Sequence, residues 1–211
     1  MVKLLLVLPI MTTKQKIIVS AKILFQEKGF AGARMQEIAD HSGINKALLH
    51  YHFKNKEMLF KAVLMNGVME TFPVILGVLN STLPLKEKIM TLIESYLTQI
   101  SSNPELPRFV LNELSQNPTF IKEQMEGMSF TPALFVKQVE EAVLNKEIIP
   151  TDPFQVITDI VGMCAFPFIA KPLIQLLSSK NEKEFKAFIV ERKVHVQTIM
   201  LNGLFIKQTN I

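Results

Sequence analysis

Tryptophan is missing from the 211 residues, tyrosine occurs twice, glycine eight times and cysteine once. Alternation of β-branched and polar residues, the mark of half-buried strands, is scarce as well. These shortages argue against a barrel or sandwich of short strands joined by glycine-rich turns. The lone cysteine, Cys164 in "VGMCAFPFIA", allows no intramolecular disulfide, so a reducing compartment and a cytoplasmic location are expected. With no base or cation near it in sequence, it reads as a small buried hydrophobe. Catalytic signatures are missing too. There is no Gly-rich phosphate loop, no paired metal-ligand spacing and no convincing Ser/His/Asp set, so no enzyme, no metal and no cofactor are expected. His50 and His52 lie two apart on a helix and point to different faces, and His41 sits on another helix.

The opening "MVKLLLVLPIM" holds an apolar run from Leu4 to Ile10, broken by Pro9. That is short of the about 20 residues a spanning helix needs. No small-residue cleavage site follows it. Residues 1–12 are read as an N-terminal extension. Either they form a short arm, or they are a gene-model artefact before a start at Met11. No membrane partner is expected.

What is present is helical. Hydrophobic residues make up 48% of the chain, enough for a substantial core. In residues 13–28, Ile17, Ile18, Ala21, Leu24 and Phe25 fall on one stripe of a helix. Thr12 or Thr13 can cap its start, and Gly29 can end it in a left-handed conformation. A short helix carrying Met35, Ile38 and Ala39 stops at Gly43. Asn45 caps a third over 46–52. Asn55 starts a fourth, and prolines then divide helices near 57–80 (kinked or broken at Pro73), 85–102, 105–116, 119–146, 153–178 (kinked at Pro167) and 182–206. The fold class is all-α: a three-helix, helix-turn-helix domain over 13–66, then a larger helical domain over 67–211. Charge changes at the same place. Residues 1–66 hold ten Lys/Arg and four Asp/Glu, net +6, and residues 67–211 hold thirteen and fifteen, net −2. A basic front half suits a polyanion; a solvated helix surface gives the same asymmetry.

The stretch "EIADHSGINKALLHYHF", residues 37–53, decides between these readings. Two short helices joined by a tight glycine turn have the layout of a helix-turn-helix. Ile38, Ala39, Gly43, Ile44 and Leu49 account for its inner side and its turn. Lys46, Ala47, His50 and Tyr51 are left over. An outer face with Lys, His and Tyr donors behind a capped N-terminus suits a DNA major groove.

From about residue 13 to 64 the chain resembles the DNA-binding domain of the tetracycline-repressor (TetR) family. The resemblance is carried by "GF" at 29–30, "IA" at 38–39, "GINK" at 43–46, "LHYHF" at 49–53 and "KNKEML" at 54–59. It implies base contacts from Lys46, Ala47, Leu48 and His50. Ala47 permits close approach, and Leu48 meets a thymine methyl or is partly buried. It implies backbone contacts from Asn45, Tyr51, His52 and Lys56. Ala33 stands where the family has Thr or Ser, which leaves Arg34 to take that backbone contact.

For the rest of the chain the resemblance extends only to length and helical character. It implies a homodimer through the last two long helices, with Val156, Ile160, Val190, Val194 and Ile199 at the interface. It also implies a small-molecule effector. Met90, Phe109, Met125, Met128, Phe130, Met163 and Phe166 are candidate lining for an apolar or amphipathic ligand; ordinary core packing would use the same residues. The expected partners are a double-stranded palindromic operator, a second copy of the chain and an unidentified effector, and the expected role is a ligand-released repressor. The alternative is a helical protein-interaction module that does not bind DNA.

Overall fold

The computed structural model describes residues 11–116, 119 and 131–206. These residues fall into two compact units, divided between Gly67 and Val68. The front unit contains α1 (Thr13–Gly32), α2 (Met35–Ser42), α3 (Lys46–His52) and the start of α4 (Lys56–Leu79). Thr12 caps α1 in a reciprocal arrangement. Its Oγ1 accepts from Gln15 N at 3.3 Å and its own N–H donates to Gln15 Oε1 at 2.8 Å, pairing two of the donors that every helix start leaves open. Gly29 does not end the helix. It kinks it at φ 68°, ψ 171°, a region essentially reserved for glycine, and three more helical residues follow.

The front core consists of Ile17, Ala21, Leu24, Phe25, Ala33, Ile38, Ala39, Leu49, Phe53, Leu59 and Val63. All five stripe residues foreseen on α1 lie in it or pack against it. By length and composition α4 could cross a bilayer. Its Leu59 and Val63 belong to the front core and its Leu79 to the rear one.

The rear unit continues with α5 (Leu85–Ser102), α6 (Leu106–Gln116), α7 (Ala133–Leu144), α8 (Pro153–Ile169), α9 (Lys171–Ser178) and α10 (Glu182–Leu204). Asp152 Oδ1 caps α8 at Phe154 N, 2.7 Å, with Pro153 in the first turn, where its missing N–H costs nothing. Asn181 and Glu184 cap α10 reciprocally. α8 packs against α5, α6, α7, α9 and α10, and its Val156, Ile160, Cys164 and Phe168 fill the rear core. An antiparallel bridge from Ile148 to Phe205 joins the end of α10 to the loop before α8.

Two expected helices differ. Residues 119–146 give α7 only from Ala133, after Pro132; residues 120–130 lie outside the described residues. Residues 153–178 are two helices bent by 73°. The break is at Ala170, two residues before Pro172, and not at Pro167, which lies inside α8. Pro167 cannot donate to the carbonyl of Met163, four residues back. Arg192 of α10 does so instead, with Nε at 3.1 Å and Nη2 at 3.0 Å from Met163 O. The helix continues through the proline because the orphaned acceptor has found a charged donor elsewhere.

Candidate nucleic-acid interface

The turn between α2 and α3 is built entirely from local bonds. Gly43 adopts φ 69°, ψ 31°, and no atom lies within 4 Å of where a Cβ would stand. The glycine is therefore there for its backbone angle and not for space. Gly43 N donates to Asp40 O at 3.2 Å and Ile44 N to Ala39 O at 3.1 Å, the paired closure of a Schellman end. Ser42 Oγ donates to Ile38 O at 2.8 Å. Asn45 Oδ1 then caps α3 by accepting from Leu48 N at 2.8 Å.

These bonds fix the rotation of α3. Leu49 is fully buried, and Ile38 and Ala39 are buried beside it. Ile44 is half-buried against the same core. On the other side Lys46, Ala47, Leu48, His50 and Tyr51 are exposed, Tyr51 by 81%. The His50 Nδ1 is 3.3 Å from Lys54 O. A carbonyl only accepts, so Nδ1 carries the proton in that contact and Nε2 is left to meet a ligand. Tyr51 and His52 meet edge to face at 5.4 Å.

At the start of α2, Arg34 N donates to Glu37 Oε2 at 3.3 Å, while Lys28 Nζ contacts Glu37 Oε1 at 3.1 Å. The hydrogen bond from Lys28 is the main reason the Glu37 carboxyl sits below its ordinary pKa. Sequence reasoning missed this clamp. Its signal was a Glu three residues after the cap position, Arg34. The Arg34 side chain is exposed. The Lys56 side chain is half-buried, and its amine donates to the carbonyls of Ala31 and Ala33.

Residues 17–63 match the family model for bacterial regulatory proteins, tetR family. The front unit therefore carries a DNA-binding domain of the TetR family. Along nearly its whole length it is similar to YttP of Bacillus subtilis, named as an HTH-type transcriptional regulator. Identity is 27% over 91% of this chain and 96% of YttP. Its front part is 42% identical to IcaR of Staphylococcus epidermidis, a negative transcriptional regulator of a biofilm operon, over 25% of this chain and 29% of IcaR. A TetR/AcrR-family regulator from Thermobifida fusca shares the fold, with a TM-score of 0.65, 20% identity and coverage of 90% and 97%. With that domain the chain is a DNA-binding transcriptional regulator, and the relatives it matches are transcriptional regulators, not enzymes.

In the rear unit the structure redistributes the expected TetR-type ligand and dimer residues. Val156 and Ile160 face the chain's own core, at 2% and 1% exposure. They are unavailable to a second copy. The exposed face of α8 carries Phe154, Thr158, Val161, Gly162 and Phe166 instead. The sequence periodicity was right, but it marked the internal face. Val190, Val194 and Ile199 are exposed on α10. Of the expected pocket residues, Phe109 is buried and Met163 half-buried, while Met90 and Phe166 face outward. Met125, Met128 and Phe130 lie outside the described residues. A surface cleft of about 390 Å³ is lined by Lys86, Thr198, Leu201, Asn202, Phe205 and Ile206, none of them an expected pocket residue.

Proposed function

We propose that this regulator is a cytoplasmic repressor that binds a palindromic operator as a homodimer and is released by a small apolar or amphipathic effector. The observation that carries the DNA part is the rotation of α3. Leu49 is buried, and Lys46, Ala47, Leu48 and His50 form an exposed strip behind a capped N-terminus. Lys46 reads guanine O6 and N7, and His50 reads a base edge through Nε2. Ala47 and Leu48 supply close approach and apolar contact. Arg34, the Asn45 amide, Tyr51 and His52 hold phosphates. Lys56, whose amine also rests on two backbone carbonyls, joins this set through its remaining N–H.

The homodimer is supported by the apolar strips on α8 and α10, two helices that pack together. A two-fold pair of recognition helices reads half-sites one helical turn, or a multiple, apart. An effector that favours another spacing lowers operator affinity. A coupling of ~1–3 kcal/mol corresponds to about 5–150-fold. The named activity of IcaR as a negative regulator is consistent with repression.

The test is selection of bound duplexes from a randomised DNA pool, followed by titration in salt. A palindrome and a log–log salt slope near about −7, from roughly eight phosphates per dimer, are expected. His50→Ala should change base preference at one position of each half-site. Recovery of no duplex, or a flat salt response, would leave a protein-interaction module as the reading.

A further inference from the structure

Lys46 and His50 are both exposed on α3, one turn apart, so they share a face but not a chemistry. A lysine ammonium only donates. A neutral imidazole has one donating and one accepting nitrogen, and the contact made by one sets the role of the other. In His50 that contact is on Nδ1, which stands 3.3 Å from Lys54 O. With the proton on Nε2 instead, two acceptors would face each other at that distance.

The Lys54 carbonyl is held in place from both sides. Before it, Phe53 is buried in the front core, and its N–H donates to Leu49 O at 2.8 Å. After it, Asn55 starts α4: its Oδ1 accepts from Met58 N at 2.8 Å and its own carbonyl accepts from Leu59 N at 3.3 Å. The link between α3 and α4 therefore offers Lys54 O to the ring from a fixed position. The polarity of His50 is set before any duplex arrives.

We propose that His50 determines specificity as a hydrogen-bond acceptor: its Nε2 selects an exocyclic amine in the major groove, N6 of adenine or N4 of cytosine. The polar atoms that guanine and thymine show there, N7 and O6 or O4, are all acceptors. Neither base can partner Nε2, whereas both suit the donor Lys46. The strip therefore reads one acceptor edge and one amine edge in each half-site. The inference rests on the DNA-binding reading above, and its test separates the two.

The unaltered protein and His50→Ala are titrated against a duplex recovered by the selection. The base pair at which His50→Ala changes preference marks the position. There the amine is removed, with adenine replaced by purine or cytosine by pyrimidin-2-one. In a second duplex the purine of that pair is replaced by its 7-deaza analogue, which lacks the N7 acceptor. Failure of the unaltered protein to bind any duplex removes both readings. If it binds, amine removal in one half-site should weaken it about fivefold more than it weakens His50→Ala, the worth of one hydrogen bond. The 7-deaza duplex should affect the two proteins alike. Equal losses on amine removal would overturn the proposal. So would a loss on the 7-deaza duplex confined to the unaltered protein, which would make Nε2 a donor, or base preferences that His50→Ala leaves unchanged. Should His50→Ala fail to fold by circular dichroism, His50→Lys takes its place. Its side chain only donates, so it must lose the response to the amine.

Discussion

Lys88 is an ammonium with no access to solvent: its side chain is completely buried in α5, and Nζ donates to Leu79 O, at the end of α4, at 3.1 Å. Burial holds its pKa below the ordinary lysine value of 10.5. The unfolded chain therefore keeps this proton over a pH range in which the folded chain has released it, and stability rises with pH there. Urea unfolding between neutral pH and 10.5 should show this gain, and Lys88→Met should flatten it. Cys164 behaves oppositely in reactivity. Burial pushes its thiol up to about 12, against a smaller lowering by Arg192. The thiolate is the nucleophile, so iodoacetamide at mildly alkaline pH should label Cys164 only after denaturation. Gly43 makes a third case at this scale. It has room for a methyl group but sits at φ 69°, so Gly43→Ala should cost ~1–2 kcal/mol in thermal unfolding through backbone strain alone.

At the scale of elements, the bond from Arg192 to Met163 O substitutes for the one Pro167 cannot make. Arg192→Met should destabilise the protein by about 1.5–3 kcal/mol, the range for hydrogen bonds to a charged group. Pro167→Ala should reduce that loss, since the helix can then satisfy its own carbonyl. Urea denaturation of both single variants and the double one checks this coupling, and additive losses would refute it. The same element shows how far the sequence could be read. Short helices with capping residues at both ends were legible to the residue: Asn45 and Gly43 bracket the turn where expected. Their local hydrogen bonds are encoded within five residues. What lay beyond reading was set by distant partners. Pro167 looked like the kink, but a guanidinium 25 residues later removes its effect, and the true break falls at Ala170. Lys56 read as a backbone contact, and nothing near it in sequence showed the two carbonyls it also meets, 23 and 25 residues earlier.

At the scale of the whole molecule, apolar spacing alone cannot tell an internal face from an external one. Val156 and Ile160 on α8 have the same character as Phe154 and Val161, yet the first pair is buried and the second exposed. The exposed strip on α10 makes the homodimer testable. Val194→Glu, at a side chain 63% exposed, should leave the monomer folded. It should shift sedimentation from dimer towards monomer and weaken operator binding, because a charge buried in an apolar interface is costly. Unaltered sedimentation would move the interface elsewhere.

The Pro167–Arg192 arrangement also constrains ancestry. A lineage that gained proline before arginine would have passed through a form with a stranded carbonyl, whereas the reverse order needs no damaged intermediate. Reconstructed forebears of this chain should therefore carry the arginine earlier, and descendants that lose it should already have lost the proline.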